Sequence, residues 1–176
     1  MKTFKHILKY GSISGVIMIA SWFISHLIFT EDDGSFDMSS GELLGYASMI
    51  LAFTAVFIGV KNYRDKELKG VINFKKAFAI GLYIVLVTSV IYVIGWMIYY
   101  PNFMPDFADQ YLDGQITQLE ESGLTGVELD QKVEELTSEM ELYKNPIVMS
   151  GVTFMEIFPV GLVVAFLCAL ILKKKE

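Results

Sequence analysis

The stretch 147–172 reads IVMSGVTFMEIFPVGLVVAFLCALIL, with Glu156 as its only charge and Pro159 three residues later. As a helix rising ~1.5 Å per residue, these roughly 26 residues cross a hydrocarbon layer of ~30 Å with some tilt. A water-soluble domain of 176 residues shows more charge, shorter apolar runs and clearer turns than a chain that is 53% hydrophobic and 19% charged. The chain therefore reads as a membrane protein, and the acid inside its last span sets the first question, which is what keeps a carboxyl group away from lipid.

Three more runs meet the same length rule: 10–29, 43–60 and 77–100. Lys2, Lys5 and Lys9 before the first give it the look of a signal peptide. Its apolar part is too long for that, and no small-x-small cleavage site precedes Glu31, so it reads as a retained helix. The predicted architecture is an all-α, four-helix transmembrane bundle forming one integral membrane domain.

Orientation follows from the basic residues. Lys2, Lys5 and Lys9 precede span one. Lys61, Arg64, Lys66, Lys69, Lys75 and Lys76 separate spans two and three, and Lys173, Lys174 and Lys175 follow span four. By the positive-inside rule both termini lie in the cytoplasm. Only Lys132 and Lys144 fall elsewhere, in the connection between spans three and four. The opposite side is acidic. Glu31, Asp32, Asp33, Asp37 and Glu42 lie before and at the mouth of span two, and eleven more carboxylates lie within 101–146. This face either keeps the outer segments solvated or gathers cations over about a Debye length.

The connection 101–146 is too long and too patterned to be structureless. Leu112, Ile116 and Leu119 recur at helical spacing, as do Leu129, Val133, Leu136, Met140 and Tyr143. Gly123 suits the residue after a helix, and Thr125 with Glu128 has the form of a capping box. Two antiparallel helices, about 104–122 and 126–144, are predicted as an extracytoplasmic hairpin. Their stripes either pack on each other or bind a partner protein or a second copy. On the other side, 61–76 reads KNYRDKELKGVINFKK. The spacings Lys61–Asp65 and Asp65–Lys69 extend the second helix past the membrane, and Gly70 ends it. This loop serves as a topology signal beside anionic lipid or as a docking loop.

Several pieces of the chain, taken in order, carry a family resemblance. They are Gly41-Glu42, Gly45, Tyr63-Arg64-Asp65-Lys66, Gly70, Phe74, Asn145-Pro146, Glu156, Phe158-Pro159 and Gly161. Together they resemble the domain-of-unknown-function 4199 family of small bacterial four-span membrane proteins. The resemblance implies fold, topology and a bacterial inner-membrane location, and implies no activity.

Depth along the helices locates the polar groups. Glu156 lies about 15 Å from the outer boundary at ~1.5 Å per residue, level with Ser21, Ser89 and Tyr92, with Thr88 just below. No Lys or Arg shares that level. Desolvation disfavours an ionised acid there, so a neutral Glu156 bonded to one of these hydroxyls is expected. Pro159 lacks an N–H, leaves the Met155 carbonyl without its helical donor, and favours a bend. Gly151, Gly161, Ala165 and Ala169 share one side of span four at small-xxx-small spacing, and Glu156 points to nearly the opposite side. Such a helix either sits between two neighbours in the chain or is shared with a second copy. Gly11 and Gly15 give span one a close-approach face.

Glu156 is thus a register-fixing structural acid, a proton- or cation-coupling residue, or, as the least favoured reading, an enzyme acid or base. Glu42 and His26 at the outer mouth, with Tyr46 and Trp96, form either a shallow polar vestibule or interfacial anchors. Cys168 alone builds neither a disulfide nor a cysteine metal site, and two histidines, His6 and His26, supply no histidine-rich metal site. The sequence carries no hydrolase elbow, zinc-protease motif, P-loop or dinucleotide fingerprint, and calls for no cofactor. Its basic residues are topogenic, so nucleic acid is not an expected partner. The sequence points to a non-enzymatic protein that binds a partner or supports the envelope. The alternative is a small transporter or ion-handling protein using Glu156.

Overall fold

The computed structural model describes residues 2–30 and 38–174, without the side chains of Met38, Ser39 and Glu42. The acids Glu31, Asp32, Asp33 and Asp37 lie outside the described residues, as does the Glu42 side chain. Among the described residues the chain is all-helical: α1 Lys2–Phe29, α2 Met38–Glu67, α3 Phe74–Phe103, α4 Phe107–Glu121, α5 Val127–Tyr143 and α6 Pro146–Leu172. Helices α1, α2, α3 and α6 are long and apolar enough to cross a membrane, so the chain is a multi-pass membrane protein. It divides into two compact units, one of residues 1–95 with 154–176, the other of residues 96–153.

In the first unit the helices approach closely because small residues let them. A Cβ added to Gly161 of α6 would collide with Val85 of α3 and stand 3.0 Å from the Phe53 ring of α2. A Cβ on Gly11 of α1 would come within 2.5 Å of Val87. In lipid no hydrophobic force drives helices together, so such backbone approach and the dispersion contacts it allows stabilise the bundle. Ala52, Val56, Val60, Ala77, Ile84, Val85, Ile157, Ala165 and Ala169 are fully buried between the helices. The stripe Gly161, Ala165 and Ala169 therefore faces inward. Gly151 does not share its role, since it is exposed with open space around it.

One end of this unit is tied together by backbone and side-chain bonds. Ile72 and Lys174 exchange N–H···O bonds of 3.2 and 2.9 Å, and Arg64 Nη1 donates to the Leu172 carbonyl at 3.3 Å. A guanidinium on the last carbonyls of α6 meets the negative end of its dipole. The predicted Lys61–Asp65 pairing is replaced by Arg64, whose Nε lies 2.6 Å from Asp65 Oδ1. Helix α2 ends at Glu67, and Lys69 and Gly70 follow with φ of 56° and 91°. Helix α1 starts at Lys2, well before the apolar run, because nothing in its lysine-bearing turns breaks a helix.

The second unit contains the end of α3, the α4–α5 hairpin and the start of α6. Helix α4 closes as predicted around Gly123, whose φ is +88°. Gly123 N donates to Glu120 O at 3.0 Å and Leu124 N to Leu119 O at 3.2 Å, a Schellman ending. The capping box does not form. The residue before α5 is Gly126, with φ 64° and no side-chain cap, so Thr125 stands one place too early to act. Pro101, taken from the sequence as the start of the loop, lies inside α3, which continues to Phe103. The root of the hairpin is an aromatic cluster. Trp96 Nε1 donates to Tyr143 Oη at 2.7 Å, with the Tyr100 and Phe107 rings 5.8 and 5.6 Å from Trp96.

Candidate functional site

Helix α6 turns Glu156 outward. Because its small-residue stripe faces α2 and α3, the opposite side is exposed, and Glu156 lies there with Val152, Met155, Pro159, Val160 and Val163. The sequence placed Glu156 opposite the stripe and favoured a position between two neighbours of the same chain. The buried positions of α6 fall on one side, against α2 and α3 of the same chain.

The Ser21, Thr88 and Ser89 hydroxyls expected around Glu156 are engaged elsewhere or are enclosed. Ser48 Oγ donates to Gly45 O at 2.7 Å and accepts from Ser21 Oγ at 2.9 Å; Met18 O, at 2.7 Å, competes for the same Ser21 proton. Thr88 Oγ1 lies 3.0 Å from Ile84 O and 3.3 Å from Gly11 O. Ser89 is fully buried, and its Oγ has no hydrogen-bond partner. The expected bond from Glu156 to Ser21, Thr88 or Ser89 is therefore absent. Tyr92 is buried, with its ring 4.8 Å from Trp22. Depth alone put Ser21, Thr88 and Ser89 at the level of Glu156; azimuth around each helix keeps these three hydroxyls from it.

The hydroxyls instead fasten α1 to its neighbours. Ser14 donates to Ala52 O at 2.9 Å, Ser21 meets Ser48, and Thr88 reaches Gly11 O. Helices in lipid gain about 0.6 kcal/mol from such a bond on average. Near the C-terminal end of α1, His26 is half-buried and its Nδ1 lies 3.4 Å from Thr30 Oγ1. The vestibule partner Glu42 is outside the described side chains, and Tyr46 is exposed.

One cluster was not anticipated. His6 Nε2 lies 2.8 Å from Gly59 O, its ring 4.7 Å from Tyr10 and 5.3 Å from Tyr63. A carbonyl only accepts, so His6 carries its proton on Nε2. Asn62 Nδ2 donates to Tyr10 Oη at 2.6 Å, Thr3 Oγ1 lies 3.1 Å from Tyr63 Oη, and Lys9 Nζ sits 5.6 Å from the Tyr10 ring centre. The i, i+3, i+7 run Thr3, His6, Tyr10 was a legible signal, masked by lysines that invited a purely topological reading. The cluster joins α1 to α2.

The hairpin offers the broadest chemical surface. No residue of α5 is buried, although Leu129, Val133, Leu136, Met140 and Tyr143 line one side of it. In α4 only Ala108 is buried, and Leu112, Ile116 and Leu119 are half-buried. Helices α4 and α5 lie side by side, and both stripes are half-buried. Residues 96–153 carry eleven carboxylates and two lysines. Both lysines are taken: Lys132 Nζ is 2.6 Å from Glu135 and Lys144 Nζ is 2.7 Å from Glu141. Hydrogen bonding to Glu135 and its charge, reinforced by Glu139 and Glu128, raise the Lys132 ammonium above its ordinary range. Glu141 and then Asp109 do the same for Lys144. Among the described residues no three Asp, Glu, His or Cys side chains converge to hold a metal ion.

A family model described as protein of unknown function (DUF4199) matches residues 9–174, nearly the whole chain. No curated protein and no solved structure matches it.

Proposed function

The chain belongs to the DUF4199 family, and on that premise we propose that it is a non-enzymatic membrane protein whose four-helix anchor presents the acidic hairpin to a partner outside the cytoplasm. The observation that carries this reading is α5, a helix with a continuous apolar stripe and no buried residue. An amphipathic helix whose apolar side is only half-buried in its own chain is a candidate face for a docking helix. The orientation rests on charge. Twelve of the fourteen basic residues flank the N-terminus, the α2–α3 connection and the C-terminus, and the Ile72–Lys174 and Thr3–Tyr63 contacts gather these segments at one end of their unit. By the positive-inside rule that end is cytoplasmic, in a bacterial inner membrane.

The ion-handling alternative needs Glu156 on a path through the bundle, whereas the carboxyl-bearing face of α6 points out of it. An ionised acid at a helix centre costs about 2.5–3.5 kcal/mol on insertion scales.

A photoreactive residue at Leu136 of α5, in native membranes, tests the proposal. A discrete crosslinked partner at Leu136, absent when the probe is moved to Gly45 of α2, is expected. Crosslinking to lipid alone from Leu136 would remove the hairpin's assigned role.

A further inference from the structure

We infer that the basic end of the first unit binds an anionic phospholipid, with its phosphate at Lys75, Lys173 and Lys174 and its acyl chains along the Phe74, Phe78 and Phe166 rings. This surface belongs to the bundle alone and does not depend on what the hairpin binds. Three observations select the occupant.

The first is charge that the chain does not answer itself. At this end the described residues carry eleven Lys and Arg side chains against two acids, Asp65 and Glu67. Among the described residues, Arg64–Asp65 is the one ion pair there. The charges of Arg64, Lys61 and Lys174 all bear on Asp65, so that carboxylate is already shared. Lys75, Lys173 and Lys174 are exposed and form no ion pair with a described residue.

The second is that the fold gathers these lysines from distant parts of the sequence. Lys173 and Lys174 follow the end of α6, and Lys75 lies in the first turn of α3. The paired N–H···O bonds between Ile72 and Lys174 hold those two helix ends side by side. The first turn of α3 contains no acid, so its lysines share the sign of the helix dipole. A phosphate beside them removes that repulsion. Lysines converging between membrane helices make a headgroup site, where scattered ones give only a diffuse attraction.

The third is the apolar surface next to the lysines. Helices α3 and α6 meet closely at Gly81, where an added Cβ would stand 3.2 Å from the Ala165 Cβ. From that crossing toward the lysines the seam is flanked by rings. Phe166 lies edge-on to Phe74 and Phe78, with centroids 5.5 and 6.4 Å away, and remains 46% exposed. Cations at the end of an apolar seam match a molecule with a phosphate at one end and hydrocarbon at the other, and a soluble anion leaves the rings unused.

The test titrates the full chain in detergent micelles with phosphatidylglycerol or phosphatidylcholine and counts bound lipid by native mass spectrometry. Phosphatidylglycerol should bind about tenfold more tightly. Lys75→Gln with Lys173→Gln and Lys174→Gln should abolish that preference. Lys2→Gln with Lys5→Gln and Lys9→Gln, which removes the same charge from α1, should leave most of it. Should the first triple variant fail to fold, Lys75→Gln alone is read, with about a fivefold loss expected. Glycerol 3-phosphate, the headgroup chemistry without acyl chains, should not displace bound phosphatidylglycerol. Equal binding of the two lipids, equal losses in the two triple variants, an unchanged preference in Lys75→Gln, or displacement by glycerol 3-phosphate overturns the inference.

Discussion

Helices α2 and α5 both carry apolar residues at helical spacing, and they treat them in opposite ways. Helix α2 buries Ala52, Phe53, Val56 and Val60 between neighbours, whereas α5 buries nothing. The difference lies in what surrounds them. In the bundle, glycines at 11, 59, 81 and 161 bring backbones so near that any added Cβ meets a neighbour. In the hairpin, Gly114, Gly123 and Gly126 have open space around them and serve turns or nothing at all. Tight packing without charge defines an anchor, and loose packing with high charge defines a surface. The same apolar stripe thus means stability in one unit and availability in the other.

The sharpest way to break this contrast is overpacking. Gly161→Leu drives a side chain into Val85 and Phe53 and should cost about 3 kcal/mol or abolish the fold. Gly151→Leu, in open space, should leave thermal stability in detergent unchanged. Equal effects would mean that the stripe on α6 does not set helix approach.

Cavity formation comes next. Ile157→Ala, at a fully buried position, should destabilise by about 2 kcal/mol, and Leu136→Ala in α5 by less than about 1 kcal/mol. Chemical unfolding in mixed micelles reads both. A hairpin variant that costs as much as the bundle variant would show that the stripe is already covered.

Ser14→Ala removes the bond to Ala52 O and should cost about 0.6 kcal/mol, with an upper bound near 1.7 kcal/mol.

The smallest expected effect is a pH response of the hairpin. Both Lys132 and Lys144 are held above the ordinary lysine value by their glutamates. A raised folded-state value contributes stability that is complete below the unfolded value, near 10.5, and is lost as pH rises through the folded one. Helicity of the hairpin should therefore hold through neutral pH and decline only above about 10.5. A decline between pH 7 and 9 would show that these pairs are not what the alkaline limit reports.

The sequence by itself determined the four spans, the hairpin with its Gly123 ending and the segregation of charge. Each is a property of local composition and period, written in consecutive residues and independent of neighbours. It also placed Glu156 opposite the small residues of α6, since a helical wheel needs only one helix. Only tertiary structure decided which side of α6 faces the bundle, where the Ser21, Thr88 and Ser89 hydroxyls go, and that His6 reaches Gly59. Those outcomes depend on rotation of each helix about its axis, which depth along the chain does not specify. Rotation is set by where glycines and alanines let backbones meet, a quantity that belongs to pairs of helices. The hairpin's half-buried stripe is likewise a tertiary fact: periodicity announces an apolar face, and only the neighbours present decide how much of it stays open.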